Sequence, residues 1–372
     1  MVDEPLITDV VAYLRAFFHG LDVRELPQRL EFMRWTAERK VKSSFKNIPS
    51  PEHVGLCSVE EGSMTRIRVR DLEESDTRSS YVHQLNLNDM LDHAISILPE
   101  DAYCLVLLVG HDLYEDEDDD FVCGRAYGGS RIAVVSHAQY QPALDVWHGV
   151  DIAEGHWWPG SHCQEFVRQE EVKMEKRGAA QGGKSIKASQ ISSSYSIQRQ
   201  AAKDSTTTGV LSSLTEKESP PASPMEAAFA VHVNNLSKTT MSVHDLRSLY
   251  MRRITLTASH ELLHCFGIDH CVYSACVMQG TASMIEDSRQ PPILCQVCEN
   301  KLARAVVGGK HSSWSKNNKG KDDPNWWESE EVISWKKARH EQILRFCEER
   351  NEPDLGFGSL GAWTRKYLSL IY

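Results

Sequence analysis

The stretch His260-Glu261-Leu262-Leu263-His264-Cys265-Phe266-Gly267-Ile268-Asp269-His270 decides how the whole chain is read. It closes a predicted helix over Ser242 to Phe266. There Met251, Ile254, Ala258, Leu262 and Cys265 recur at intervals of three and four and form one apolar stripe. His260 and His264 stand one turn apart on the same side, off that stripe, where core packing requires no imidazole. Gly267 falls where a helix end favours a left-handed residue, and the turn it permits lets His270 approach as a third nitrogen ligand. Three protein ligands leave one tetrahedral zinc position open, the arrangement of a catalytic ion. Such an ion lowers the pKa of bound water to roughly 7. Glu261, next to the first ligand, is placed to take the water proton and pass it to a leaving amine. The full pattern HExxHxxGxxH arises by chance on the order of once in 10,000 chains of this composition, so three coincident surface histidines are a poor account of it.

A second set of ligands follows directly. Cys271 adjoins His270, Cys276 comes five residues later, and Cys295 and Cys298 form a CxxC pair. Four thiolates at such spacings form a tetrahedral site closed to water, hence structural. Four unrelated buried cysteines, or a redox CxxC, are weaker readings, the latter because no thioredoxin-like pattern surrounds Cys295. Met278 lies between the two clips.

Upstream, the apolar run Cys104 to Gly110 and the run Ile132 to Ser136 read as buried strands, and Asn88 to Leu98 reads as a helix. Residues 1–100 are expected to be mostly helical. The acidic run Glu115 to Asp120 lacks the glycine and ligand alternation of a calcium loop and reads as a solvated loop. Trp147, His148, His156, Trp157, Trp158, His162 and Cys163 read as aromatic anchors for a long loop rather than a further metal site. Residues 175–224, rich in Ser, Gly, Lys, Gln and Thr, read as a disordered insertion. A last helix, roughly Glu328 to Glu349, precedes a tail. The organisation expected is therefore an N-terminal region (1–100), a catalytic domain (101–310) carrying the insertion, and a C-terminal linker, helix and tail (311–372).

Bulk properties narrow the function classes. The 372 residues are 41% hydrophobic, enough for a sizeable core, and carry a net charge of −11, which disfavours nucleic-acid partners. No apolar run is long enough to span a bilayer, so no membrane partner is expected. The opening Met1-Val2-Asp3-Glu4 places acids where a secretory signal carries bases. An intracellular protein, cytoplasmic or nuclear, is expected. Cys57, Cys104, Cys123, Cys163, Cys265 and Cys347 then read as free thiols.

With these residues in view, the chain resembles the archaemetzincins, metzincin-type zinc metallopeptidases. The family pattern HExxHxxGxxHCxxxxCxM followed by CxxC is met by His260, Glu261, His264, Gly267, His270, Cys271, Cys276, Met278, Cys295 and Cys298. Met278 and Cys295 stand one residue closer than the family usually has them. The upstream stretches Asp112 to Tyr114, Phe121 to Gly124 and Ile132 to Ser136 are also similar, so the resemblance covers roughly residues 100 to 310. It implies an α+β, zincin-like fold, with a twisted mixed β-sheet packed on helices that include a long active-site helix. It also implies that Met278 forms a Met-turn, and that two zinc ions are held, one catalytic and one structural. The implied substrate is a peptide or protein that adds to an edge strand by β-augmentation, around Phe121 to Gly124, with aminopeptidase-like cleavage of small peptides among the implied activities. The rival reading is a non-catalytic, zinc-stabilised protein-binding module with a vestigial site, which Glu261 argues against. Oligomeric state is not legible in the sequence.

Overall fold

A computed structural model describes residues 2–35, 53–59, 62–72, 81–152, 157–162, 221, 223–237, 241–308, 325–350 and 354–372. The N-terminal part opens with helix α1 (Ile7–Phe17) and continues through strands β1 (Leu30–Arg34), β2 (His53–Ser58), β3 (Met64–Asp71) and β4 (His83–Asn86). Helix α2 (Leu87–Ser96) starts at Asn86, whose side chain accepts the Asp89 backbone N–H. Strands β5 (Leu105–Val109), β6 (Leu113–Tyr114), β7 (Gly124–Tyr127) and β8 (Ile132–Ser136) follow, then a short helix α3 (Asp145–His148). The remaining helices are α4 (Pro224–Leu236), α5 (Val243–Cys265), α6 (Met284–Arg289), α7 (Gln296–Gly308), α8 (Glu330–Glu348) and α9 (Gly358–Ile371).

Two sheets result. One runs β1-β2-β3-β4-β6, antiparallel except for the parallel β4–β6 pair. The other runs β5-β8-β7, with β5 and β8 parallel and β7 antiparallel to β8. The fold is α+β with mixed sheets. Every residue of β8 is buried, because α2 covers one face of this sheet and α5 the other. Ile132 and Val134 pack with Met90, Leu91 and Ala94 of α2 in one core. A second, larger core joins α1, α5, α7 and α8 around Phe17, Ile254, Leu263, Leu302 and Phe346. Helix α5 is thus held between a sheet and a helical layer, which fixes whatever its C-terminal turn carries.

Three expectations are corrected. Residues 1–100 hold four strands besides two helices among the described residues. The alternation Thr65-Arg66-Ile67-Arg68-Val69-Arg70 has period two, with Ile67 and Val69 buried. Residues 358–371 form helix α9 rather than a tail. Leu360 and Thr364, one turn apart, are buried, and Trp363 stacks on Tyr367 at 4.9 Å. The stretch read as closing the insertion starts a helix: Ser223 and Glu226 form a capping box with Pro224 at the first helical position, where its missing N–H costs nothing. The rest of the insertion, 175–220, lies outside the described residues, as do His156 and Cys163. Trp157 and Trp158 are buried, while Trp147 is exposed. No helix among the described residues is long and apolar enough to cross a membrane.

Candidate metal centre and cleft

Ser242 caps α5 through a reciprocal box with Asp245, and the helix runs unbroken to Cys265. Gly267, with φ of 72°, turns the chain back. His260, His264 and His270 meet as a result: one ligand nitrogen from each lies within 4.8 Å of the others. The Nε2 atoms of His260 and His264 are 3.1 Å apart. Nδ1 of His260 lies 2.7 Å from the Val277 carbonyl, and Nδ1 of His264 lies 2.8 Å from that of Ile268. A carbonyl only accepts, so both Nδ1 atoms carry the hydrogen and both Nε2 atoms present lone pairs. Two lone pairs facing at 3.1 Å repel unless a cation lies between them. A tetrahedral ion bonded at about 2.0–2.1 Å to nitrogen sets its ligands roughly 3.3 Å apart. The donor set fits zinc. Burial also lowers the His260 pKa to about 4 and depresses that of His264, keeping both neutral.

The four cysteines Cys271, Cys276, Cys295 and Cys298 form the second group, again with ligand atoms within 4.8 Å of one another. Cys271 Sγ and Cys295 Sγ are 3.6 Å apart. That is far longer than a disulfide and close to the roughly 3.8 Å edge of a zinc–thiolate tetrahedron. Hydrogen bonds from the Cys298 thiol and the Cys295 backbone N–H pull the Cys276 thiol below its usual range, favouring the thiolate form a metal requires. The two groups are joined by short links. Cys271 N–H donates to the Met278 carbonyl at 2.6 Å, and the adjacent Val277 carbonyl orients His260. Met278 is fully buried. Cys57, Cys104, Cys123, Cys265 and Cys347 are free thiols.

A cleft of about 930 Å³ opens over the histidines, lined by Asp118 to Ala126, Tyr140, Thr257, Glu261, Met284, Asp287 and Gln290 among others. Strand β7 forms its wall and, among the described residues, pairs on one side only, with β8. The paired edge begins at Gly124 and extends to Tyr127, so Phe121 to Cys123 lead into it rather than form it. Glu261 is buried beside it. That burial raises its carboxyl pKa to about 8, against a lowering pull from Arg125 and a raising one from Asp287. A Cβ at Gly124 would sit 3.1 Å from Glu261 Cγ, so any side chain there would press the strand against the carboxylate. The acidic run, read as a solvated loop, also borders the cleft. Its Asp116, Glu117 and Asp119 carbonyls are clamped by Arg70.

Several contributing residues carry no sequence signal. Gln290 donates to the Val277 and Gln279 carbonyls, both at 2.7 Å, bracing the group that orients His260. Tyr140 pairs with Thr257 at 2.6 Å and donates to Asp287 at 3.1 Å.

Residues 227–304, which carry both groups, match the model of Peptidase family M54. The chain is 26% identical to human archaemetzincin-2 over 306 residues, 82% of this chain and 55% of that one. It is 38% identical to the archaemetzincin of Methanopyrus kandleri over 61 residues, 16% of this chain and 35% of that one. The chain is thus similar to archaemetzincins, the likeness resting on the segment that carries both ligand groups. It spans about half the length of the archaemetzincin-2 sequences it matches. The crystal structure of the Methanopyrus kandleri archaemetzincin aligns with 63% of this chain and 73% of that one, at 18% identity and a TM-score of 0.29.

Proposed function

We propose that the chain is a zinc-dependent peptidase, with His260, His264 and His270 binding a catalytic zinc and Glu261 acting as the base. The observation that carries this reading is the convergence of imidazole lone pairs beside a buried carboxylate, in a cleft walled by an edge strand. A zinc ion held there would supply Lewis-acid polarisation of the scissile carbonyl and acidify water. The chain's own residues do the rest. Main-chain N–H and C=O groups of Gly124 to Tyr127 bind an extended peptide as an added strand and set its carbonyl at the metal position. Glu261 removes the water proton and returns it to the leaving amine. Its surroundings suit the task, since burial raises its proton affinity and Arg125 draws it back.

The reading includes a second, structural zinc on Cys271, Cys276, Cys295 and Cys298, giving two ions per chain. Met278 serves as the Met-turn residue, and Gly267 as the turn that delivers His270. Substrates are peptides or proteins in an intracellular setting, with small peptides and terminal cleavage included.

The test is zinc content together with hydrolysis of a mixed peptide library. Two zincs, with cleavage that disappears in Glu261→Gln while both ions stay, are expected. Wild-type cleavage by Glu261→Gln would reject the base. Two zincs with no cleavage of any peptide would favour the non-catalytic binding module.

A further inference from the structure

Beyond Glu261, on the side away from His264, the cleft has a second polar centre that the reaction as described does not use. Thr257 lies one helical turn before Glu261, and His264 lies close to one turn after it. The Thr257 end of the cleft is therefore about 6 Å along the helix from the base. There the Tyr140 hydroxyl joins Thr257 and Asp287. Asp287 sits on α6, and Cys123 and Met284 border the same end of the cavity.

Among the described residues, no cation forms an ion pair with this carboxylate. Burial raises its pKa most, and hydrogen bonds from Thr281 and Tyr140 offset this only in part. Arg253 acts on it electrostatically but is spent in a two-pronged pair with Asp145, at 2.7 and 2.9 Å. Arg125, the cation that acts on Glu261, is paired with Glu115. A half-buried carboxylate with its neighbouring cations engaged elsewhere gains most when a positive group reaches it. Asp118 to Asp120 add negative charge at the rim of the same cavity.

Which part of a peptide would reach it follows from the proton's route. Glu261 must return a proton to the leaving amine, so the residue that supplies that amine lies beside Glu261. Its side chain is the one nearest the Thr257 end of the cleft.

We propose that Asp287 determines specificity, receiving the lysine or arginine side chain of the residue directly after the scissile bond. This rests on the peptidase reading above. An aliphatic residue there leaves the carboxylate unpaired, and an acidic one is repelled.

The test uses zinc-loaded full-length protein and matched peptides differing only in the residue after the scissile bond: Arg, Leu or Glu. The Arg-to-Leu ratio of kcat/KM is expected to be at least about tenfold in the wild type. It should fall about tenfold or more in Asp287→Asn, and much less in Asp118→Asn, which removes only rim charge. Because the ratio is taken within one protein preparation, a partly misfolded variant does not disturb it. An unchanged ratio in Asp287→Asn, or an equal loss in both variants, overturns the proposal. Binding of the same peptides to zinc-loaded Glu261→Gln, read by fluorescence anisotropy, separates the two readings. Tighter binding of the Arg peptide that depends on Asp287, without cleavage by the wild type, keeps the selectivity and rejects hydrolysis. Equal binding of all three peptides rejects the selectivity.

Discussion

Nε2 of His260 and Nε2 of His264 face each other across 3.1 Å, each with its other ring nitrogen donating to a main-chain carbonyl. The ring orientations are therefore set by the fold before any ion arrives. The Val277 carbonyl that fixes His260 is itself held by Gln290, a buried side chain that donates to two carbonyls at 2.7 Å and lies 3.4 Å from His260 Nδ1. Replacing Gln290 by Leu keeps its approximate volume and removes that brace. Zinc at the histidine site is expected to bind roughly 10- to 100-fold more weakly, the usual cost of losing such a partner. Competition with a fluorescent chelator measures this; unchanged affinity would show that the carbonyl needs no support.

The two metal groups differ in what they hold together. The cysteines join the turn after His270 to the start of α7, while the histidines come from α5 and the turn that follows it. A mild chelator is expected to abolish hydrolysis with little change in Tm. Extraction of the thiolate-held ion should lower Tm sharply, because its binding energy is folding energy. Parallel calorimetry and zinc assay check this, and a single release step with one coincident fall in Tm would contradict it.

Glu261 makes the metal-free protein sensitive to pH in a definite direction. Its carboxyl titrates near 4.5 when unfolded and near 8 when buried. Between those values the folded state binds more protons than the unfolded one, so stability falls as pH rises through the window. Metal-free Glu261→Gln lacks this loss. It is expected to exceed the metal-free wild type by on the order of 5 kcal/mol above pH 8, with the gap closing toward pH 4.5. His260, held down to about 4, costs stability as pH falls from 6.5 through that value, equally in both proteins. Denaturant titrations across pH read the difference. A gap that widens toward acid would reverse the assigned sign.

Helix α8 braces the cysteine-bearing helix through a buried ion pair. Arg339 lies 2.9 Å from Glu299, the residue after Cys298, and also donates to the Phe17 carbonyl at 2.7 Å. Arg339→Met leaves Glu299 buried with only the more distant His340, at 3.6 Å, and Lys336 to act on it. It is expected to cost about 3–5 kcal/mol, with much of that recovered by adding Glu299→Gln. Chemical denaturation of both variants decides, and a cost below about 1 kcal/mol would show the pair to be dispensable.

The two candidate ligand groups were legible because their geometry is local. An i, i+4 histidine pair, a helix-ending glycine and closely spaced cysteines place donors together within one short segment. Helix α5 was legible for the same reason, through its three–four apolar spacing. What escaped comes from distant chain segments. Gln290, Asp287 and Tyr140 reach the cleft only after the turn beyond Met278 and the loop after β8 have packed against α5. Each is an ordinary polar residue in the sequence. Strand β3 escaped because its alternation of Arg and apolar residues is short and buries only two of them, and α9 because the residue that accepts its first N–H, Asp354, stands four positions upstream rather than directly before the helix.

Gly124 links the edge strand to the base more tightly than any side chain could. A Cβ there would come within 3.0 Å of Thr257 Cγ2, 3.1 Å of Glu261 Cγ and 3.2 Å of Glu261 Oε1. Gly124→Ala therefore pushes on Glu261 from the edge strand without touching a histidine. The displaced carboxylate loses its alignment with water and leaving amine, and misplacement of this size costs roughly 10- to 100-fold in rate. The expected result is a fall in kcat of that order, with zinc content at the histidine site retained. Loss of zinc together with activity would mean instead that the strand holds the metal centre itself in place. Unchanged kcat would mean that Glu261 has room to move and is not the group that sets the rate.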